Sequence, residues 1–224
     1  MWIDDTLIAE ATSQLVTNIW RPQSSMVVLG RSNKASQEVH LERCNELGIE
    51  VLQRYGGGGT VLLYPGCLVV SVGAWVDSPY DNDRYFKLLN QSIIDTINGH
   101  VDGDFGQKGY SDIVHGAKKL AGTSLFRSRH YLLYQASILL KLDLEAIDAC
   151  LKHPSKEPDY RENRSHSEFL TALFDLDSSK SEVFWLEEFQ RSYDTKLKAL
   201  IEPHLREPQW EHISHLRKRA GLPV

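Results

Sequence analysis

Four consecutive glycines, Gly56 to Gly59, stand between Arg54-Tyr55 and Thr60. Each costs backbone entropy, roughly 0.5–1 kcal/mol against alanine in a regular element. That cost is intelligible where a ligand must touch bare main chain, because successive N–H groups can form a concavity suited to an anion. No Gly-Lys-Ser/Thr follows, so the run is not a Walker loop, and no helix opens behind it, so it is not a dinucleotide fingerprint. A flexible hairpin or bulge accounts for the glycines equally well. A second feature is Lys118-Lys119-Leu120-Ala121-Gly122-Thr123-Ser124. Adjacent side chains of a strand face opposite ways, so only one of the two lysines can enter a pocket. There it would neutralise a bound carboxylate or stabilise the oxyanion of an attacked carbonyl; the alternative is two solvated surface lysines. The third chemistry is thiol. Cys44 and Cys150 fall at core-like spacing on short helices and read as packing. Cys67 follows Pro65-Gly66 near the glycine run and is expected to line the pocket, where a nearby Lys119 would lower its pKa. His212 and His215 share a helix face without a third ligand nearby, so no metal centre is expected.

Helices are expected over Ile3–Leu15, His40–Leu47 and Asp81–Asn98, the last with Tyr85, Leu88, Leu89, Ile93, Ile94 and Ile97 on one face. Strands are expected at Ser24–Leu29, Glu50–Arg54, Thr60–Tyr64 and Leu68–Val76. After a glycine-containing loop, Val101 to Gly109, three more follow at Ser111–His115, Lys118–Arg127 and His130–Leu142. Their tight links, Gly116-Ala117 and Ser128-Arg129, imply an antiparallel meander. From Asp143 the pattern turns helical, at Leu144–Leu151, Ser165–Phe174 and Ser181–Ile201, with a polar stretch from His153 to Arg164 and a last short helix. Phe184-Trp185 reads as core. Strands first and helices last predict an α+β fold with mixed or antiparallel sheets flanked by helices. The expected organisation is one unit over residues 1–224, its sheet core ending near 142.

The 224 residues carry 42% hydrophobic and 25% charged side chains and a net charge of -5. The charge argues against nucleic acid, and the basic run Arg217-Lys218-Arg219 reads as a solvated helix end. No segment approaches the about 20 apolar residues that span a bilayer. Met1-Trp2-Ile3-Asp4-Asp5 is acidic where a secretory signal is basic. Three cysteines without a C-x-x-C pair suggest no disulfide framework. A cytoplasmic protein without a membrane contact is expected.

Gly30-Arg31-Ser32-Asn33, Arg54 through Gly66, Ser111-Asp112-Ile113 and Lys119-x-x-Gly122-Thr123-Ser124 occur in one order. This ordered set resembles the lipoate–protein ligase and octanoyltransferase family, from about Trp2 to about Leu144. The resemblance implies a catalytic domain of the type shared with biotin ligases. Lys119, which has the family's Lys-x-x-Gly spacing, would contact the acyl carbonyl, and Gly57, Gly58, Gly59 and Thr60 would hold the acyl chain and any phosphate. Arg31 and Arg54 would lie near the substrate, and Asp112 would help place a nucleotide or magnesium ion. Gly122, Thr123, Gln135, Ser137 and Cys67 complete the substrate-binding set. The chain departs from the family where Gln135-Ala136-Ser137 replaces His-Gly-Thr and Ser111 replaces an asparagine. The helical tail is expected to be too short for the separate accessory domain of long ligases. Glu157-Pro158-Asp159-Tyr160-Arg161 and Arg164-x-His166 look like the polar linker of some octanoyltransferase-like members.

The resemblance implies lipoate and ATP as substrates, with an acyl-adenylate intermediate, and a lipoyl domain of a 2-oxoacid dehydrogenase or the H protein of glycine cleavage as acceptor. The alternatives are transfer from an octanoyl thioester on acyl carrier protein through a cysteine, and a non-catalytic lipoyl binder. Arg127, Arg129 and His130 are expected to contribute to the acceptor-docking surface.

Overall fold

A computed structural model describes residues 3–222, without the side chains of residues 3, 4 and 219. Met1 and Trp2, the Ile3 and Asp4 side chains and the Arg219 side chain therefore lie outside the described residues. Helix α1 covers Ile3–Ala9 and buries Leu7 and Ile8. It ends six residues before the expected Leu15, because Leu15–Trp20 forms strand β1. That segment, Leu-Val-Thr-Asn-Ile-Trp, is rich in β-branched and aromatic residues that favour a pleated surface. Strand β2 (Met26–Leu29), helices α2 (Ala35–Glu38) and α3 (Leu41–Glu46), and strands β3 (Glu50–Gln53), β4 (Val61–Leu63) and β5 (Cys67–Trp75) follow. Helix α4 (Asn82–Asn98) is capped by the Asp81 carboxylate, which accepts from the Arg84 N–H.

Strands β6 (Phe105–Lys108), β7 (Asp112–His115), β8 (Lys118–Ser128) and β9 (Tyr131–Leu139) form the meander. Strand β6 lies inside the expected loop 101–109; Phe-Gly-Gln-Lys has little strand character, and its structure comes from pairing with β7. The turns fall at Gly116 (φ 58°) and Arg129 (φ 51°), as the spacing predicts. Helix α5 (Leu144–Cys150) leads into the polar linker, then α6 (His166–Phe169), α7 (Leu173–Leu176), α8 (Glu182–Ile201) and α9 (Trp210–Arg219). The helix expected over Ser165–Phe174 is split into α6 and α7, because the Thr171 N–H turns away to donate to the Lys119 carbonyl at 2.9 Å.

The large sheet runs β1-β5-β9-β8-β7-β6, antiparallel throughout. The small sheet runs β3-β2-β4, with β2 parallel to β3 and antiparallel to β4. Strand β5 is buried along its whole length, as a strand covered on both faces must be. One face packs Leu68, Val70, Val72 and Ala74 against α4 and α8, where Trp185, Phe189 and Tyr193 are fully buried. Each such aromatic contributes roughly 1.5–3 kcal/mol of burial, so the two long helices clamp the back of the sheet. The expected core role of Trp185 holds. The other face is shared by the small sheet, by α1 with α9, and by a cleft. No described helix is long and apolar enough to cross a membrane.

Candidate active site

The cleft has a volume of about 770 Å³ and opens between the small sheet, the middle of β8 and β9, and the polar linker. Lys119, Arg54, Gly58, Gly59, Thr60, Asp112, Gly122, Thr123, Gln135 and Ser137 all line it. Residues from four separate stretches of sequence therefore meet on one surface. Arg31, Gly57 and Cys67 do not line it.

Lys119 reaches the cleft through an irregularity that simple strand alternation misses. Ile113 pairs with Ala121, but Val114 pairs with Lys119, so Leu120 is an extra residue in β8. This β-bulge reverses the side-chain parity. Leu120 and Ala121 both enter the core behind the sheet, while Lys119 moves to the face that carries Gly122. Strict alternation would have put Lys118 there instead. The bulge also explains the Lys-x-x-Gly spacing, because the Lys119 side chain lies across Gly122. A Cβ at Gly122 would sit 3.2 Å from the Lys119 Nζ and 3.3 Å from its Cε. Beyond Gly122 the ammonium meets Asp112, with Nζ 2.8 Å from Oδ1. Both side chains are largely withdrawn from solvent, at 23% and 15% exposure, so this pair is worth more than a surface ion pair.

Asp112 is held from two sides. Its Oδ2 accepts from the Tyr160 hydroxyl at 2.9 Å. The backbone beside it is anchored by Asn90 of α4, whose amide donates to the Ser111 carbonyl at 3.0 Å. Asn90 accepts in turn from the buried Tyr134 hydroxyl at 2.7 Å. Burial drives the Tyr134 phenol far above its usual pKa, so it remains a donor. The Ser111 carbonyl also accepts from the Thr123 hydroxyl at 2.7 Å. Thr123 therefore serves the framework as well as the cleft wall.

The glycine loop is shaped by close contact. The Arg54 guanidinium, only 7% exposed, donates from Nη2 to the carbonyls of Gly57 and Gly59 at 2.8 Å each, and from Nη1 to the Val28 carbonyl at 3.3 Å. Arg54 thus braces the loop from beneath while bordering the cleft. Gly58 has φ 93°, a region open to glycine, and a Cβ at Gly56 would press on the Ser124 hydroxyl at 2.8 Å. A Cβ at Gly30 would collide with the Gly58 carbonyl. Arg31 contributes main chain, its N–H donating to the Gly56 carbonyl at 2.9 Å, and its exposed side chain stays off the cleft. Gly57 faces away, its carbonyl taken by Arg54.

Cys67, expected to line the pocket, lies off the cleft. The glycine loop precedes β4 and Cys67 follows it, so the two lie at opposite ends of that strand, roughly 10 Å apart at about 3.3 Å per residue. Cys67 is fully buried, in one apolar cluster with Cys44 and Cys150. Burial pushes its thiol up to about 12, against the lowering influence of the Tyr64 hydrogen bonds. Burial likewise raises Cys150 to about 11. Neither is a ready thiolate, and the packing roles expected for Cys44 and Cys150 hold.

The expected docking turn is also displaced. Arg127 and Arg129 lie at the far end of β8 from Lys119, roughly 30 Å away by strand rise. Arg127 is held inward, donating from Nε to Asn82 Oδ1 at 3.1 Å and lying 4.7 Å from the Tyr85 ring centroid. His212 Nε2 lies 2.7 Å from the Ser128 carbonyl, and no group of three or more metal-ligating side chains occurs among the described residues.

Sequence reasoning missed several cleft residues. Trp20, Val28, Val61, Leu63 and Val69 build an apolar wall, and Lys156, Tyr160 and Arg161 come from the linker and Phe169 from α6. Among the described residues, the Trp20 Nε1, Thr60 Oγ1 and Arg161 Nη2 atoms are buried without a hydrogen-bond partner. The motif around Tyr160 was visible, but nothing local says that it folds back over the sheet.

The antiparallel sheet flanked by helices, with its cleft on one face, is the α+β fold of the lipoate-ligase type. The chain belongs to the lipoyl protein ligase A/B catalytic domain family, which matches residues 1–191. It is 26% identical over 202 residues to octanoyltransferase LipM of Carboxydothermus hydrogenoformans, covering 80% of this chain and 74% of that protein. It is 28% identical over 140 residues to lipoate-protein ligase A subunit 1 of Thermoplasma acidophilum, covering 58% and 53%. A third relative, at 23% identity, is named inactive lipoate–protein ligase 2 of Plasmodium falciparum, and 47% of its length is covered. The chain thus spans about half the length of these two ligase relatives. Among solved structures, a lipoate-protein ligase A bound with ATP superposes with a TM-score of 0.71 at 22% identity, covering 95% of this chain and 86% of that one. A Thermoplasma acidophilum protein with bound lipoic acid gives 0.70 at 21% identity, covering 96% and 88%.

Proposed function

We propose that this chain attaches a lipoyl or octanoyl group to the lysine of a lipoyl-acceptor domain after activating the acyl carboxylate with ATP. The carboxylate attacks the α-phosphorus and pyrophosphate leaves; the acceptor amine then attacks the carbonyl, loses a proton, and AMP departs. The observation that carries this reading is the Lys119 ammonium, held at 2.8 Å from Asp112 in the same cleft as Gly58 and Gly59, while all three cysteines are buried. An ammonium beside the acyl carbonyl stabilises developing negative charge, and losing such a donor costs about 3–4 kcal/mol. The apolar wall suits a medium acyl chain, and Lys156 and Arg161 supply positive charge for an anionic nucleotide. Asp112 retains a lone pair on each oxygen and so fits as one ligand of a magnesium ion carried by the nucleotide. A lipoyl domain of a 2-oxoacid dehydrogenase or the glycine-cleavage H protein is the acceptor class, and the structural relatives include an archaeal bi-partite lipoate protein ligase described with its E2 lipoyl domain.

A second reading, transfer from a thioester on acyl carrier protein, is favoured by the long match to an octanoyltransferase. Intact-mass analysis of an acceptor domain separates the readings. A gain with lipoate and ATP, lost in Lys119→Ala, supports the ligase. A gain only with octanoyl carrier protein supports the transferase, and no gain with either supports a binding protein.

A further inference from the structure

The linker carries one side chain whose placement is built from every side. Pro158 to Arg161 form a short turn, Asp159–Arg161, that rests on Gly109. Gly109 has φ 58°, and a Cβ there would lie 3.0 Å from Pro158 and 3.2 Å from the Tyr160 ring. On its other side the Tyr160 ring meets Phe169, centroids 5.2 Å apart. Arg164 fastens the same turn, its Nη2 donating to the carbonyls of Tyr160 at 2.6 Å and Ala117 at 3.1 Å. The ring is therefore notched into the strand β6–β7 corner, and its hydroxyl donates to Asp112 Oδ2 at 2.9 Å. Asp112 Oδ1 is the oxygen that holds the Lys119 ammonium.

We propose that Tyr160 is a positioning residue for Lys119. Its hydroxyl fixes one oxygen of Asp112 so that the other keeps the ammonium over Gly122 and facing the cleft. A carboxylate accepting two charge-assisted or hydroxyl hydrogen bonds in a fixed plane has one orientation, whereas with one removed it can rotate about its own side-chain torsions. Lys119 ends a flexible four-carbon stem, so what orients the carboxylate orients the lysine. Burial and the Asp112 charge beside it hold the Tyr160 phenol protonated well past its usual range, which keeps it a donor. The proposal deepens the assignment of Lys119 as the acyl-carbonyl contact and rests on that reading for its kinetic consequence.

The test has an arm that needs no activity. Competitive labelling of the native protein with acetic anhydride, read by peptide mass spectrometry, gives the reactivity of Lys119 relative to its exposed neighbour Lys118. Tyr160→Phe keeps the ring between Gly109 and Phe169 and removes only the hydroxyl. The Lys119 to Lys118 ratio should rise by about threefold or more in Tyr160→Phe and similarly in Asp112→Asn, as loss of one hydrogen bond to a charged group allows. A ratio unchanged in Tyr160→Phe but raised in Asp112→Asn overturns the proposal; so does a ratio unchanged in both. In the kinetic arm, whichever donor serves the wild type is used, so failure of the ATP reading leaves this arm intact. Tyr160→Phe should lower kcat by about ten- to hundredfold with KM for acyl donor and acceptor within about twofold. A loss confined to KM overturns it.

Discussion

Gly122→Ala crowds the cleft where the Lys119 side chain lies across the sheet. The added methyl would stand 3.2 Å from the Lys119 Nζ, 3.3 Å from its Cε and 3.6 Å from the Ser137 Oγ. The first two are a few tenths of an ångström tighter than ordinary carbon contact, and what must yield is the end of a flexible side chain. The fold should therefore tolerate the change. Replacing glycine in a strand gains roughly 0.5–1 kcal/mol of backbone entropy, which offsets the contact, so the expected shift in Tm is within about 4 °C. Function should not tolerate it, because the displaced group is the ammonium itself. A misplacement near 1 Å costs about a hundredfold, so a shift of a few tenths should lower the single-turnover rate of acyl transfer by roughly tenfold. The loss stays below that of Lys119→Ala, about 3–4 kcal/mol in the barrier. In a Lys119→Ala background the added methyl has nothing left to displace and should cost no further activity. A Gly122→Ala transfer rate within twofold of the wild type refutes this role for the Lys119–Gly122 contact. That role is equally refuted if Tm falls by more than about 10 °C, since Gly122 would then be serving the sheet.

Gly30→Ala should destabilise by about 1–3 kcal/mol in urea unfolding, because its methyl collides with main chain at Gly58; Gly57→Ala, whose methyl meets nothing within 4 Å, should stay within about 0.5 kcal/mol. Cys67→Ala should lower Tm slightly yet leave transfer from either donor within twofold, and loss of thioester-dependent transfer alone would restore Cys67 as a nucleophile. Glu188 is buried, which raises its pKa, but hydrogen bonds from His100, Ser192 and Arg191 prevail and hold it at about 2 against an ordinary 4.5. A depressed carboxyl pKa stabilises above 4.5 and loses that stabilisation as pH falls through about 2. The Tm gap between wild type and Glu188→Gln should thus be full at pH 7 and close between pH 4.5 and 2; a gap that persists at pH 2 contradicts this account.

Much of the frame was legible because its signals are local. The apolar face of α4, the valine-rich run of β5 and the turn residues at Gly116 and Ser128-Arg129 each declare themselves within a dozen residues. The ordered motifs likewise identified Lys119, Asp112, Gly58 and Gly59 as neighbours, and these do share one cleft, with Gln135 and Ser137, where the chain departs from the family's His-Gly-Thr, on its wall. Strand β1 was missed because its partner, Val69–Ala74, lies some fifty residues along the chain, and β6 because Phe-Gly-Gln-Lys has little strand character of its own and is ordered by pairing with Asp112–His115. Arg31 and Cys67 misled because closeness in sequence to the glycine run is not closeness in space.

What the amino-acid order determined alone is the kind of chemistry on offer: a lysine, an aspartate and a bare backbone loop in a family-like sequence of motifs. Which way that lysine faces and what steadies it were decided by tertiary structure. The bulge at Leu120 depends on the pairing of β8 with β7, and the Tyr160 contact depends on a linker that returns over a sheet laid down some fifty residues earlier (|i−j| = 48). Local propensity encodes neither, because the bulge is set by the register of two paired strands and the Tyr160 contact exists only once distant segments have packed.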